Sequence, residues 1–241
     1  MINLNIFLYK FFIKLIFLIP RDYEIQYLYY LHYLNHEKEL ELFNLKKIIK
    51  KKGLAIDVGS NHGLYSYALS KINTISKVYS FEPLPNISKI KYKLFKKIKF
   101  HNLALSNKKG FEILKTPIVK NFEYNGLSRI ISKNNHFKEK FKKYKLRKIR
   151  IKKLDSFNLK NVTFIKIDVE GHELNVLKGA KRFFSQNKPI CLIEIDNKNF
   201  RDVYTFFKNL KIKYKLIRNK YNGINLSNKN FLFIPRDLNL K

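Results

Sequence analysis

Four titratable residues fall within six positions at Asp168-Val169-Glu170-Gly171-His172-Glu173, directly after the apolar run Thr163–Ile167. A carboxylate that follows a buried strand is held rigidly. Asp168 is therefore a candidate base, or a group that orients an acceptor hydroxyl. Glu170 is a candidate beside it. His172 is a candidate proton acceptor, because imidazole titrates near neutrality. A structural role competes for two of these residues: Glu170 or Glu173 at the start of the following helix would complement its positive dipole end.

A second constellation lies upstream, Leu54-Ala55-Ile56-Asp57-Val58-Gly59-Ser60-Asn61-His62-Gly63. A short apolar run ends in an acid, and two glycines then flank three small or polar residues. Leu64, Tyr67, Ala68 and Leu69 continue at helical spacing, so the stretch predicts strand, tight turn and helix start. Such a turn lets a ligand approach the backbone closely and offers it unpaired N–H groups. Glu82 closes the next apolar run, Lys77–Phe81, 25 positions after Asp57. In nucleotide-binding α/β folds an acid about 20 residues past the glycine turn accepts hydrogen bonds from a ribose diol. Taken alone, the same residues also describe an ordinary α/β turn with Glu82 as a solvated strand end.

The elements needed to position these groups alternate along the chain. Strand Leu54–Val58 precedes helix Leu64–Lys71, strand Lys77–Phe81 precedes helix Asn86–Lys97, and strand Phe100–Ala104 closes the first half. Strand Thr163–Ile167, helix Leu174–Gln186, strand Pro189–Ile195 and helix Phe200–Leu210 form the second half. Strands Tyr214–Ile217 and Phe231–Ile234 end it. This order predicts an α/β fold with a mostly parallel sheet, right-handed crossovers and helices on both faces. Residues 1–53 form an N-terminal helical extension, 54–241 the main domain, and about 107–161 an insertion that interrupts the alternation. The insertion carries strand-like Phe111–Thr116, turn-rich Tyr124-Asn125-Gly126-Leu127-Ser128 and a basic run at Lys142–Lys153. Insertions over the carboxyl ends of α/β strands commonly shape substrate sites; a solvated surface segment is the alternative.

The chain has 241 residues, 45% of them hydrophobic, enough for one domain with a sizeable core. Its formal net charge of +32 arises from 50 basic and 18 acidic residues. Such charge attracts anionic membranes, glycans or nucleic acid. Only eight of the 50 are Arg, the better bidentate partner of phosphates and guanines, and the wealth of Lys, Asn, Ile, Phe and Tyr is what A/T-rich codons supply. Nucleic acid is accordingly the less favoured partner. The single cysteine, Cys191, rules out an internal disulfide framework, and no Cys/His cluster has zinc spacing.

Residues 2–19 are bulky and apolar but contain Lys10 and Lys14, four positions apart on one helical face. The uninterrupted apolar span is too short to cross a bilayer, and neither a basic n-region nor a small-residue cleavage site marks a signal peptide. An in-plane helix on an anionic membrane fits, with lysines at the headgroups. Packing against the domain or against a second subunit fits equally. The expectation is a cytoplasmic protein, with contact at the inner membrane surface if the first alternative holds. Oligomeric state is left open.

Taken together, the motifs resemble the FkbM family of S-adenosylmethionine-dependent methyltransferases. Asp57–Gly63 resembles its cofactor loop, and Phe81-Glu82-Pro83 its second-strand motif. Asn102-Leu103-Ala104-Leu105-Ser106, Leu154-Asp155-Ser156-Phe157, Ile165–Glu173 with Val176-Leu177-Lys178-Gly179-Ala180, and Asn230–Ile234 are similar to the rest. The resemblance covers roughly residues 54–234. It implies a class I methyltransferase fold, Rossmann-like, with a seven-stranded sheet whose last strand is antiparallel. It also implies methyl transfer, most often to a hydroxyl oxygen of a sugar, glycolipid or related natural product. On this resemblance Gly59, Ser60, Asn61 and Gly63 cradle the methionyl part of S-adenosylmethionine. Asp57 orients its ammonium group, Glu82 binds the ribose hydroxyls, and Asn102, Ala104 and Ser106 lie near the adenine. A divalent cation held by Asp168 and neighbouring acids, as in other class I O-methyltransferases, is an open alternative. Two other functions compete: a nucleic-acid methyltransferase or basic nucleic-acid-binding protein, and a fold relative without activity. Against the first, the strand end reads Asp168-Val169-Glu170-Gly171 and not the Asn-Pro-Pro-Tyr type of many amino-directed nucleic-acid methyltransferases.

Overall fold

Strands β1 (Gly53–Val58), β9 (Val162–Ile167) and β10 (Ile190–Glu194) are almost continuously apolar, which suits strands covered on both faces. They form the centre of a seven-stranded sheet in the order β11-β14-β10-β9-β1-β2-β3, with β2 at Ile75–Phe81, β3 at Ile98–His101, β11 at Tyr214–Ile217 and β14 at Asn230–Pro235; a small antiparallel pair, β12 (Lys220–Tyr221) and β13 (Ile224–Asn225), lies between the last two in sequence. All pairings are parallel except the two made by β14. The structure, a computed structural model, describes residues 23–34, 39–84, 96–131 and 141–236. The expected membrane-surface helix at 2–19 and most of the expected helix Asn86–Lys97 lie outside the described residues.

Period-two alternation along the central strands divides the core. Ile56, Val58, Ile165, Ile167 and Ile193 face one layer, where helices α5 (Glu173–Lys178), α6 (Lys181–Asn187) and α7 (Asn197–Lys208) supply Val176, Leu177, Phe184 and Phe207. Ala55, Phe164, Leu192 and Leu232 face the other layer, covered by Leu69 of α4 (Leu64–Ser70) and by Leu42 and Ile48 of the short helices α2 (Leu40–Phe43) and α3 (Leu45–Ile48). Helix α1 (Glu24–Leu34) lies over α4, with the Tyr29 and Tyr67 rings edge to face at 5.3 Å. Among the described residues no helix is long and apolar enough to cross a membrane.

The segment between the two halves of the domain builds a second sheet. Strands β5 (Gly110–Val119) and β8 (Lys143–Lys152) run antiparallel along their length, flanked by β4 (Ala104–Leu105), β6 (Phe122–Glu123) and β7 (Arg129–Ile131). Its inner face closes a third apolar cluster of Leu84, Ala104, Leu114, Ile130, Ile149 and Ile151.

Two elements differ from the sequence expectation for non-local reasons. The expected strand Phe100–Ala104 divides: β3 ends at His101, and Ala104–Leu105 leaves the main sheet to pair with β8. The expected helix Leu174–Gln186 is broken at Gly179, where the backbone carbonyl of Ser106 packs so closely that a Cβ would lie 2.0 Å from it.

Candidate active site

The carboxyl ends of β1, β2 and β9 meet at one cleft, the usual ligand position in an open α/β sheet. Register sets the meeting: Val58 pairs with Phe81 on one side and Ile167 on the other. Beyond Val58 the chain turns sharply at Gly59, with φ +79°. The Gly59 and Ser60 amides donate to the Phe81 carbonyl at 2.9 and 3.2 Å, and the Asp168 amide donates to the Val58 carbonyl at 2.9 Å. A Cβ at Gly59 would lie 1.8 Å from the Asp168 carbonyl oxygen, so only glycine lets the two turns pass.

Glu82 organises the opposite wall. Its Oε2 accepts the Asn61 amide and its Oε1 the Leu84 amide, both at 2.9 Å. Burial pushes the Glu82 carboxyl up to about 7 against these stabilising amides. Each oxygen retains accepting capacity for a hydroxyl donor. The cleft encloses about 600 Å³ including its mouth, and Gly59, Asn61, Glu82, Ala104, Asp168 and Glu170 all line it. The second sheet supplies the roof through Leu114, Asn125, Gly126, Ser128 and Ile130. Among the described residues, the buried side-chain amide oxygens of Asn61 and Asn125 have no hydrogen-bond partner.

The end of the cleft beside β9 is acidic and braced. Glu170 sits at φ +51°, and its carboxylate receives the Arg129 guanidinium at 3.1 Å. Arg129 also lies 3.7 Å from Asp196, which Lys229 approaches to 3.1 Å. Burial raises the Glu170 carboxyl despite Arg129. Lys166, fully buried in β9, places its ammonium 3.9 Å from Asp168 and donates to Asn230 Oδ1 at 2.8 Å. Asn230 in turn bonds the buried Glu41 carboxylate of α2, which also accepts the Ser227 amide.

Several expected site residues stand off the cleft wall. Asp57 is buried, its carboxylate covered by Ser66 Oγ at 2.6 Å and pushed up to about 6 by burial. Strand alternation turns it away from the face that Val58 presents. Ser60 and Gly63 form the turn without lining the cleft, and the Gly63 amide donates to the Ser60 carbonyl at 2.6 Å. The exposed Asn102 spends its amide on the Glu82 and Pro83 carbonyls at 3.1 and 2.9 Å, fixing that loop from behind. His172 is buried, with Nε2 2.9 Å from Ser106 Oγ and Nδ1 3.3 Å from the Asn175 amide. Burial lowers it to about 4, and it packs beneath the turn, apart from Asp168 and Glu170 on the wall. The Glu173 Oε1 accepts the Gly171 amide at 2.8 Å, a bond that shapes the turn. Among the described residues, no group of three or more His, Cys, Asp or Glu side chains is placed to hold a metal ion.

The roof residues and Arg129 are the part sequence reasoning missed as site residues. Their one sequence signal is the turn-rich Tyr124–Ser128 segment inside an insertion over the strand ends. Lys166 was equally silent, a lone lysine in an apolar run.

Comparison with known proteins agrees with this architecture. An FkbM methyltransferase from Methylobacillus flagellatus KT superimposes with a TM-score of 0.52 at 16% identity, over 92% of this chain and 57% of that one. This chain thus spans little more than half of that protein. An O-methyltransferase from Thermotoga maritima matches at TM-score 0.48 and 10% identity, over 80% of this chain and 63% of that one. Fibrillarin from Aeropyrum pernix, solved with natively bound S-adenosyl-L-methionine, matches at TM-score 0.44 and 12% identity, over 80% of this chain and 73% of that one. No curated protein matches the sequence. The Methyltransferase FkbM domain matches residues 57–214, from Asp57 near the end of β1 to the start of β11, and by that match the chain belongs to the FkbM methyltransferase family.

Proposed function

We propose that the chain transfers a methyl group from S-adenosylmethionine to a hydroxyl oxygen of a sugar, glycolipid or related natural product. The observation that carries this reading is the shared cleft: Glu82 and Asp168, from different strands, line one cavity beside the glycine turn.

The residues present fit the donor. Its ribose diol needs acceptors, and Glu82 offers two carboxylate oxygens held by backbone amides. Its ammonium and sulfonium groups need negative or carbonyl partners, and the unpartnered amide oxygens of Asn61 and Asn125 stand ready with Asp168 nearby. Phe81, Ala104 and Leu105 give an apolar wall for a flat base. When bound, the donor supplies an electrophilic methyl carbon for in-line displacement.

This chain's own work is to align, dehydrate and deprotonate. The roof strands exclude water from the cleft. Asp168 accepts the proton of the acceptor hydroxyl as the new carbon–oxygen bond forms, and Lys166 below it steadies the carboxylate. Arg129 holds Glu170 in place beside the acceptor. Positioning of two reactants in this way is worth several orders of magnitude in rate.

The test is a methyl-transfer assay on purified full-length protein against glycan, glycolipid and RNA fractions, with calorimetric titration of S-adenosylmethionine. Donor binding with transfer to a hydroxyl acceptor is the expected result. Folded protein that binds no donor would overturn the reading, and transfer to RNA alone would overturn the acceptor class.

A further inference from the structure

We propose that the outer face of the second sheet docks on an anionic lipid surface. The inner face of this sheet is spent on the core and the roof of the cleft. Strand register pairs apolar side chains with cations across the outer face, and Ile131 of β7 extends the apolar part beside Ile113. Phe111 lies opposite Arg150, Ile113 opposite Lys148, and Lys115 opposite Leu146. Each apolar side chain thus has a cation as its cross-strand neighbour, within side-chain reach. Phe111, Ile113 and Leu146 are exposed by 58%, 37% and 60%, against the usual tendency to bury such groups. The Lys148 ammonium stands 4.8 Å over the Phe111 ring, so the cation and the ring present together.

Charge complementarity selects the partner. None of these six positions is acidic. The acids of this sheet lie on its other face or edge and are already matched: Glu112 with Lys108 at 2.6 Å, and Glu123 with Lys145 at 2.7 Å and with Arg147. A face of interleaved apolar groups and cations with no acid suits a layer that is anionic at its surface and apolar just beneath. Lysine stems lie along apolar surface while their ammonium groups meet headgroups. Nucleic acid is the poorer match, because Ile113 and Leu146 have no π face on which a base can stack. A lipid surface on the outer face would bring the cleft, roofed by the inner face of the same sheet, close to a lipid-linked acceptor.

The test is sedimentation of the full chain with phosphatidylcholine vesicles, with and without phosphatidylglycerol, and the same titration with single-stranded RNA. Wild type should bind only the anionic vesicles. Lys148→Glu combined with Leu146→Ser should weaken that binding at least about tenfold, given the strength of cation attraction to anionic lipid. Phe111→Ser, also at an exposed position, serves as a second variant, and a thermal melt confirms that each variant is folded. Wild-type vesicle affinity in folded variants would overturn the proposal and transfer the binding to another segment, residues 2–19 included. Equal binding to zwitterionic vesicles, or loss of RNA binding without loss of vesicle binding, would overturn it as well.

Discussion

The Asp168 carbonyl oxygen occupies the place a side chain on residue 59 would need, 1.8 Å from a Cβ built there. The turn after β1 and the turn after β9 are therefore one device, and the candidate base Asp168 is fixed against the glycine turn. Gly59→Ala combines this overlap with a left-handed backbone at φ +79°. It should destabilise the fold by about 2–4 kcal/mol, by overpacking and by strain. Chemical denaturation checks it, and wild-type stability in this variant would mean that the two turns separate easily.

Asp168→Asn keeps shape and removes charge. Donor affinity should stay within a few-fold of wild type, while turnover falls at least about 100-fold, the usual scale for a positioned acid–base group. Near-normal turnover would remove Asp168 from the chemistry. Turnover of the wild type that survives chelators would separately remove a divalent cation.

His172→Gln should behave in the opposite way. Its ring bonds Ser106 and Asn175 beneath the turn, away from the cleft wall. Loss of the Ser106 contact should cost about 1 kcal/mol of stability, while the pH profile of turnover keeps its midpoints. A displaced midpoint would return His172 to the chemistry.

Stability should fall as pH rises from 6.5 to 8. Burial pushes Glu82, Glu173 and Glu194 up to about 7. Their folded values lie above their unfolded ones, so the folded state binds more protons and loses stability as pH rises through 7. His101 and His172, lowered to about 4 by burial, work in the other direction, mostly below their ordinary value of 6.5 and weakly just above it. Above that the carboxyls dominate, at ~1 kcal/mol per group across the window. Urea midpoints at the two pH values measure it, and Glu82→Gln should shrink the difference. An unchanged midpoint would show that the three carboxyls ionise freely in the folded state.

Much of the fold was legible because the main sheet is written in local patterns. Apolar runs ending in acids marked β1, β2 and β9, and glycine spacing marked the turn that carries Gly59. The site residues that projected from those strand ends, Glu82 and Asp168, could be placed for the same reason. What escaped reading was set by distant contacts. The helix after Glu173 ends at Gly179, where the Ser106 carbonyl leaves no room for a side chain, while the apolar spacing from Leu174 to Phe183 runs on through it. Asn125 and Ile130 reach the cleft because a sheet folds its inner face over it, and Arg129, at the start of β7, reaches from there to Glu170. Spacing cannot distinguish Asp57, covered by Ser66, from a carboxylate open to a ligand; the face of the strand decides it.

Glu41 precedes the span that the family shares, and Asn230 follows it, yet the two meet beneath the site and hold Lys166 between Asn230 and Asp168. The matched span therefore leans on residues outside it. Trimmed to residues 57–214, it would lose β14, most of β1 and the Asn230 amide oxygen to which Lys166 donates. Grafting that span alone onto another scaffold would transplant the glycine turn while leaving its foundation behind.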